Sequence, residues 1–265
     1  MALFMLQKEG MPMIYDLQRA SMWKRISAWL LDAILLCVAA TLMAFILSAV
    51  LNYDSYTATL NERYAHYEAE YGVTHSLTRA DIDAMSPEEL ANLEAASQAI
   101  SADEQALYAY QMIVQLIILI TSFAILLAYL VMEFALPMIF GNGQTIGKKV
   151  FGLGVMRVEG VKVNGVCMFI RTVLGKYTIE TMIPVMMALM LWFGSIGEVG
   201  WIIVAVILVT EAALLLTTRE RAMIHDKLAN TVTVDIASQM IFNSHVDLIA
   251  YKEKVAAEKA ANQVY

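Results

Sequence analysis

The sequence predicts an all-α integral membrane protein: a four-helix transmembrane bundle with an acidic helical extracytoplasmic insert and a short cytoplasmic loop or hairpin. Three observations predict it. Of the 265 residues, 59% are hydrophobic and only 16% are charged, with a mean hydropathy of +0.60. A soluble domain carries about 25% charged residues. Four apolar runs, at about 26–51, 110–139, 178–193 and 199–217, suit membrane-spanning helices. The charge is also segregated. Residues 52–109 hold eleven acids against Arg63 and Arg79, a net charge of −9.

Taken in order, residues 1–22 are Met-rich and interrupted by Pro12, and read as a cytoplasmic N-terminal arm. A membrane domain follows over 23–235. Its first span lacks a small-x-small exit and follows about two dozen mixed residues, so it reads as a retained helix and not a cleaved signal. The acidic insert 52–109 carries helix punctuation. Tyr64, Tyr67 and Tyr71 form a stripe, and Ser86-Pro87-Glu88-Glu89 reads as a helix start. Ser101 with Glu104 reads as a capping box opening a helix into the second span.

The loop 140–177 begins with turn chemistry at Phe140-Gly141-Asn142-Gly143-Gln144. Weak alternation over Val150–Val158, a turn at Glu159-Gly160 and then Val161-Lys162-Val163 suggest a local hairpin. Phe169–Tyr177 reads as an interfacial helix leading into the third span, which is the shortest and contains Pro184. Residues 236–265 place Ile241, Val246 and Ile249 among Lys252, Glu253, Lys254 and Glu258, the pattern of an amphipathic cytoplasmic tail.

Basic residues flank the spans on one side: Lys24 and Arg25 before the first, Lys148, Lys149, Arg157 and Lys162 after the second, and Arg219, Arg221 and Lys227 after the fourth. Such residues stay cytoplasmic. Both termini are therefore expected inside, with the acidic insert and the Gly194–Gly200 turn outside. Cys37 and Cys167 fall at different depths, and no disulfide framework is expected.

Ionisable side chains inside spans need partners or a task. Asp32 and Glu133 lie about five or six residues from the cytoplasmic ends of spans one and two. Glu180 lies near the start of span three, and Glu211 about six residues from the end of span four. All four fall at one level, with Arg25, Arg171, Lys176 and His225 just below it.

Three blocks resemble the RDD family of bacterial membrane proteins, named for an arginine and two aspartates. Arg25-x-x-Ala28-x-x-x-Asp32 resembles its opening arginine and first aspartate. Gly143-Gln144-Thr145-Ile146-Gly147-Lys148-Lys149-x-x-Gly152-Leu153-x-Val155 resembles its central loop, with Ile146 where proline is frequent. His225-Asp226-Lys227-Leu228-Ala229-Asn230-Thr231 resembles its closing block, with Asp226 as second aspartate. The resemblance covers roughly 20–235 and implies a multi-pass protein of the bacterial plasma membrane. Some members are linked to cation/proton exchange.

Two functions follow as expectations. In the first, a small exchanger of monovalent cations for protons uses Arg25, Asp32, Glu133 and Asp226 as its polar network, with Arg171, Glu180, Glu211 and His225 supporting. Asp32 is the expected proton carrier, and four spans call for a homo-oligomer. In the second, the same charges merely lock the helices, Arg25 pairing with Asp226, and the protein binds a partner through its acidic insert or cytoplasmic loop. The outer halves of the spans, nearly pure Leu, Ile, Val, Ala and Met, favour this second function. No nucleophile–base arrangement marks an enzyme. The His225-Asp226 pair has no neighbouring ligands for a metal, the glycines of the central loop lack phosphate-loop spacing, and no cofactor is expected. The lipid bilayer is the implied partner, and nothing points to nucleic acid.

Overall fold

The computed structural model describes residues 17, 20–74, 76–195, 199–218 and 221–261. The arm expected over residues 1–22 falls largely outside these, as does the middle of the turn expected at Gly194–Gly200. Four helical stretches are long and apolar enough to cross a bilayer: Met22–Val50, Glu104–Phe140, Gly165–Trp192 and Val199–Thr217. At 1.5 Å per residue the shortest covers about 28 Å, the thickness of a hydrocarbon core. Large apolar side chains stand exposed along them, Phe45, Val209 and Leu216 among them. In water that surface would be a liability; in a bilayer it is the surface that lipid contacts.

The chain divides into two compact units, one of Met1–Ala40 with Leu126–Tyr265, the other of Thr41–Ile125. The first span, α1 (Met22–Val50), contributes to both. In the second unit it is followed by α2 (Tyr53–Tyr71), α3 (Arg79–Asp83) and α4 (Pro87–Ala102), and the unit ends within α5 (Glu104–Tyr129). The described residues between spans one and two are thus largely helical. Ser86 caps α4: its hydroxyl accepts from the Glu89 amide while the Glu89 carboxylate accepts from the Ser86 amide, with Pro87 in the first turn.

The cap of α5 differs from expectation. Ser101 lies inside α4, where its hydroxyl donates to the Ser97 carbonyl at 2.7 Å. Asp103 does the capping, accepting from the amides of Gln105 at 2.8 Å and Ala106 at 3.1 Å. Its other oxygen accepts from Arg63 and, at 3.0 Å, from Tyr67. Burial works to raise this carboxyl, but those donors outweigh it and hold it down at about 2.

In the first unit α5 passes without a break through a π-helical segment, Leu130–Ala135, into α6 (Leu136–Phe140). A short helix α7 (Ile146–Val150) and strand β1 (Leu153–Arg157) form the loop that follows. The third span runs from α8 (Gly165–Phe169) through a π-helical segment, Ile170–Met182, into α9 (Ile183–Trp192). The separate interfacial helix expected at Phe169–Tyr177 is therefore the first half of the span itself, and the span starts well before residue 178. After α10 (Val199–Thr217) come α11 (Ile224–Leu228), β2 (Thr231–Asp235) and α12 (His245–Ala261).

The hairpin expectation is corrected too. Met156 does bridge to Lys162, but the main partner of β1 is β2, antiparallel from Leu153 opposite Asp235 to Arg157 opposite Thr231. The bundle is therefore mostly, not wholly, helical. The sheet buries Leu153, Val155, Met156, Val232 and Val234 almost completely, and joins the central loop to the chain after span four. Lys24, at the start of α1, adds an ion pair to Asp235 at 2.6 Å. Half-exposed, that pair contributes little stability by itself.

Candidate functional site: a charged layer at one end of the spans

Asp32 is held by the central loop. Its Oδ1 accepts the Gly147 amide at 2.7 Å, and its Oδ2 accepts the Thr145 hydroxyl. Lys148 Nζ lies 3.8 Å away. Thr145 is the N-cap of α7, its hydroxyl oxygen accepting from the Lys148 amide, so the carboxylate closes over orphan donors of that helix. The approach requires glycine at 147. A Cβ there would stand 2.3 Å from the Ala28 carbonyl oxygen and 2.8 Å from Asp32 Cγ. Lys148 is buried, and that burial, reinforced by the neighbouring Lys176, pushes its ammonium down to about 8 against the opposing pull of Glu133 and Asp32.

Asp226 sits at the second focus, on α11. Its closest cation is Arg171, whose Nε donates to Oδ1 at 3.1 Å and whose Nη2 lies 3.0 Å from the same oxygen. Thr231 Oγ1 also donates there at 3.0 Å. Arg25, the partner expected from the sequence, makes a looser ion pair with it: its Nη2 is 3.9 Å from Asp226 Oδ2, and its Nη1 donates to the Arg221 carbonyl at 2.7 Å. Burial works to raise the Asp226 carboxyl. Arg171, His225 and Arg25 outweigh it and hold the carboxyl well below the usual carboxylate range.

Glu133 lies in the first π-helical segment and accepts from Lys176 Nζ at 2.6 Å. Arg171 and Lys176 are five residues apart, which on an α-helix separates them by about 140°. The i→i+5 winding of their π-helical segment brings them onto nearly one face. That is how one helix supplies a cation to Asp226 and another to Glu133. Thr172 ties the two segments together by donating to the Glu133 carbonyl at 2.9 Å.

Glu180, Glu211 and His225 form the third focus. The two carboxyl groups meet at the start of α11, on consecutive backbone amides. His225 Nδ1 lies 2.8 Å from both Glu180 oxygens, and the His225 amide donates to Glu180 Oε1 at 2.8 Å. The Ile224 amide reaches the Glu211 oxygens at 3.3 and 3.4 Å. Gly175 makes this packing possible, because a Cβ there would fall 2.5 Å from His225 Cβ and 2.6 Å from its Cα. Burial pushes the imidazole below its ordinary 6.5, against the pull of Asp226 and Glu180. The ring is neutral at pH 7.

The structure thus gathers all eight residues singled out from the sequence at one end of the spans, in three linked foci. It adds Lys148, Thr145 and Gly147, and gives Lys176, placed at this level by the sequence, to Glu133 as its partner. Lys148 and the loop pair stand within the quoted central-loop block, and the signal that could have found them is the donor-rich turn facing an intramembrane acid. Among the described residues no three His, Cys, Asp or Glu side chains are grouped so as to hold a metal ion. The second unit has its own cavity, about 290 Å³, lined by Thr41, Ser48, Tyr53 and Thr121 among apolar neighbours. That end of the spans is less uniformly apolar than its composition suggests.

No curated protein and no solved structure matches the chain. The model of the RDD family, however, matches residues 19–230, a stretch that contains the four spans and every residue of the charged layer. The chain belongs to the RDD family and is a multi-pass membrane protein.

Proposed function

We propose that this RDD family protein exchanges a monovalent cation for a proton, and that the exchange takes place on the Glu180–Glu211 pair. The observation that carries the reading is that the two carboxyl groups converge on consecutive backbone amides, Glu180 accepting from His225 and Glu211 from Ile224. Such a pair holds one proton between its members. A monovalent cation can take the place of that proton without changing the charge of the site. His225 stands against the pair as a neutral imidazole whose Nδ1, 2.8 Å from both Glu180 oxygens, orients that carboxyl group, and the proton that the cation displaces leaves to water.

Asp32 has a different part. With a hydroxyl, an amide and an ammonium around it, its contacts support the role of an anchor for the central loop. Arg171 with Asp226, and Lys176 with Glu133, likewise brace the helices around the pair. The basic residues beside the spans support a plasma-membrane location with both termini cytoplasmic, and four spans support assembly of two or more copies around a path.

Flux tests the proposal. Purified protein in liposomes, given a pH gradient, should dissipate it when sodium or potassium is added, and Glu211→Gln should not. Absence of flux in the unaltered protein under every gradient would remove the reading. A second reading is favoured by one observation: residues 52–109, at −9, are largely helical and lie within the second compact unit, Thr41–Ile125. In that case the protein is a non-transporting module whose insert binds a basic partner, and neutralising Glu88, Glu89 and Glu94 would abolish that binding.

A further inference from the structure

The first unit holds a cavity of about 310 Å³ between α1 and the charged layer. Asp32, Glu133, Arg171, Lys176 and Asp226 are among its lining residues, yet they offer it little polar surface. The Asp32 oxygens are taken by Gly147 and Thr145. Lys176 is taken by Glu133, and Asp226 Oδ1 by Arg171 and Thr231. The polar atoms left over, Arg171 Nη1, Glu133 Oε2 and Asp226 Oδ2, are buried and shielded. The charges face one another, and what the cavity meets is mainly apolar.

Met22, Ile26 and Trp29 of α1 line it together with Leu215 of α10 and Met223. Ile26 and Trp29 are 47% and 61% exposed, on a helix that spans the bilayer, so this lining is continuous with the surface that lipid contacts. Along α1 it runs from Met22 to Asp32, about 15 Å, which is the depth of one leaflet of the hydrocarbon core. Water gains little in such a space, because a held water needs about two to four polar partners. Left empty, the lining would forfeit its dispersion contacts on that side.

We propose that this cavity seats one acyl chain of a bilayer phospholipid, wedged between α1 and the end of α10, with the headgroup outside. The chain lies along Ile26 and Trp29 and covers Leu215 and Met223. Two properties of the cavity select that occupant: its lining runs on into the lipid-contacting face of α1, and its length is that of one leaflet. The volume lies at the small end of the range for ligand sites, about 300–1,000 Å³, which suits a single chain and not a whole lipid. A seated chain also keeps water away from the Arg171–Asp226 and Lys176–Glu133 pairs, whose attraction is stronger in a dry surrounding. Because the polar atoms of the lining are spoken for, the lipid is chosen by its chain and not by its headgroup. The site lies outside the Glu180–Glu211 pair and stands whether or not the protein exchanges ions.

Native mass spectrometry on the full chain tests it without any ion gradient. The protein is delipidated in detergent and offered phosphatidylethanolamine, phosphatidylcholine and phosphatidylglycerol, each with oleoyl or with hexanoyl chains. One oleoyl phospholipid should be retained per protein, the three headgroups within about twofold of one another and the hexanoyl lipids about tenfold less. Leu215→Trp, which fills the cavity with a larger side chain, should lower oleoyl retention about tenfold. The proposal is overturned if no lipid is retained, if the headgroup sets retention, or if hexanoyl lipids are held equally well, and this chain-length series needs no variant. Undiminished retention by Leu215→Trp would overturn it too. Retention that appears only once residues 1–16 are removed would give the cavity to the chain's own N-terminal arm, and dimers that exclude lipid would give it to a second copy. Either result would also overturn the proposal.

Discussion

The Asp32 carboxylate accepts the backbone N–H of Gly147 at 2.7 Å across 115 positions of chain, with room for no side chain at position 147. One consequence is a sharp steric requirement. Gly147→Ala drives a methyl group into the Ala28 carbonyl and the Asp32 carboxylate, and neither is the loose end of a flexible side chain. It should cost about 1–3 kcal/mol or more, as overpacking does, and should release the central loop. Thermal unfolding in detergent, with limited proteolysis near Lys149, measures both. A variant as stable and as protected as the parent would show that the loop does not lie against α1.

Asp226 should be coupled more strongly to Arg171 than to Arg25, because the first contact is at 3.0 Å and the second at 3.9 Å. Arg171→Gln strips a buried carboxylate of its closest cation and should cost about 3–5 kcal/mol, the scale for breaking a buried ion pair. Arg25→Gln should cost clearly less. Double-mutant cycles with Asp226→Asn separate the two. A larger coupling energy for Arg25 would reverse the assignment.

Much of this site was legible in the sequence because height in a bilayer can be counted in residues. Asp32, Glu133, Glu180 and Glu211 each lie a few positions from the same end of an apolar run, and that placed them on one level. Their partners were harder to read. Arg171 and Lys176 lower the hydropathy of the third span, so its first half looked interfacial, and only π-helical winding puts both on the buried face. The partner of β1 is β2, more than seventy residues away, and local alternation cannot distinguish it from the nearby Val161-Lys162-Val163. Ser101 and Asp103 stand two residues apart, each a good cap. The choice fell to Asp103, which can also accept from Arg63 and Tyr67.

Stability should fall on mild acidification, and His225 should be a cause. Its folded value lies below the ordinary 6.5 because of burial, so between the two the unfolded chain binds a proton that the folded ring refuses. Stability contributed by the neutral ring is therefore present above 6.5 and declines as pH drops below it. Asp226 acts in a lower window: its depressed carboxyl contributes above about 3.8 and weakens only in stronger acid. Unfolding midpoints from pH 8 to 5 should drop for the parent protein and change less for His225→Gln. Parallel curves would exclude His225 as the source.

The proposed orientation puts exposed Asp83 and exposed Lys149 on opposite sides of the membrane. In a background lacking Cys37 and Cys167, Asp83→Cys should react with an impermeant maleimide added to intact cells. Lys149→Cys should react only after permeabilisation. The reverse pattern would invert the orientation argued from the basic flanks.

The central claim is that one proton and one monovalent cation compete for the Glu180–Glu211 pair. The most direct measurement is proton release from the purified protein in weakly buffered detergent when sodium or potassium chloride is added at neutral pH, with choline chloride as the control for ionic strength. The account predicts release of about one proton per protein with one of the alkali cations, none with choline, and none from Glu211→Gln. Absence of release from the unaltered protein with every monovalent cation, or undiminished release from Glu211→Gln, would contradict it.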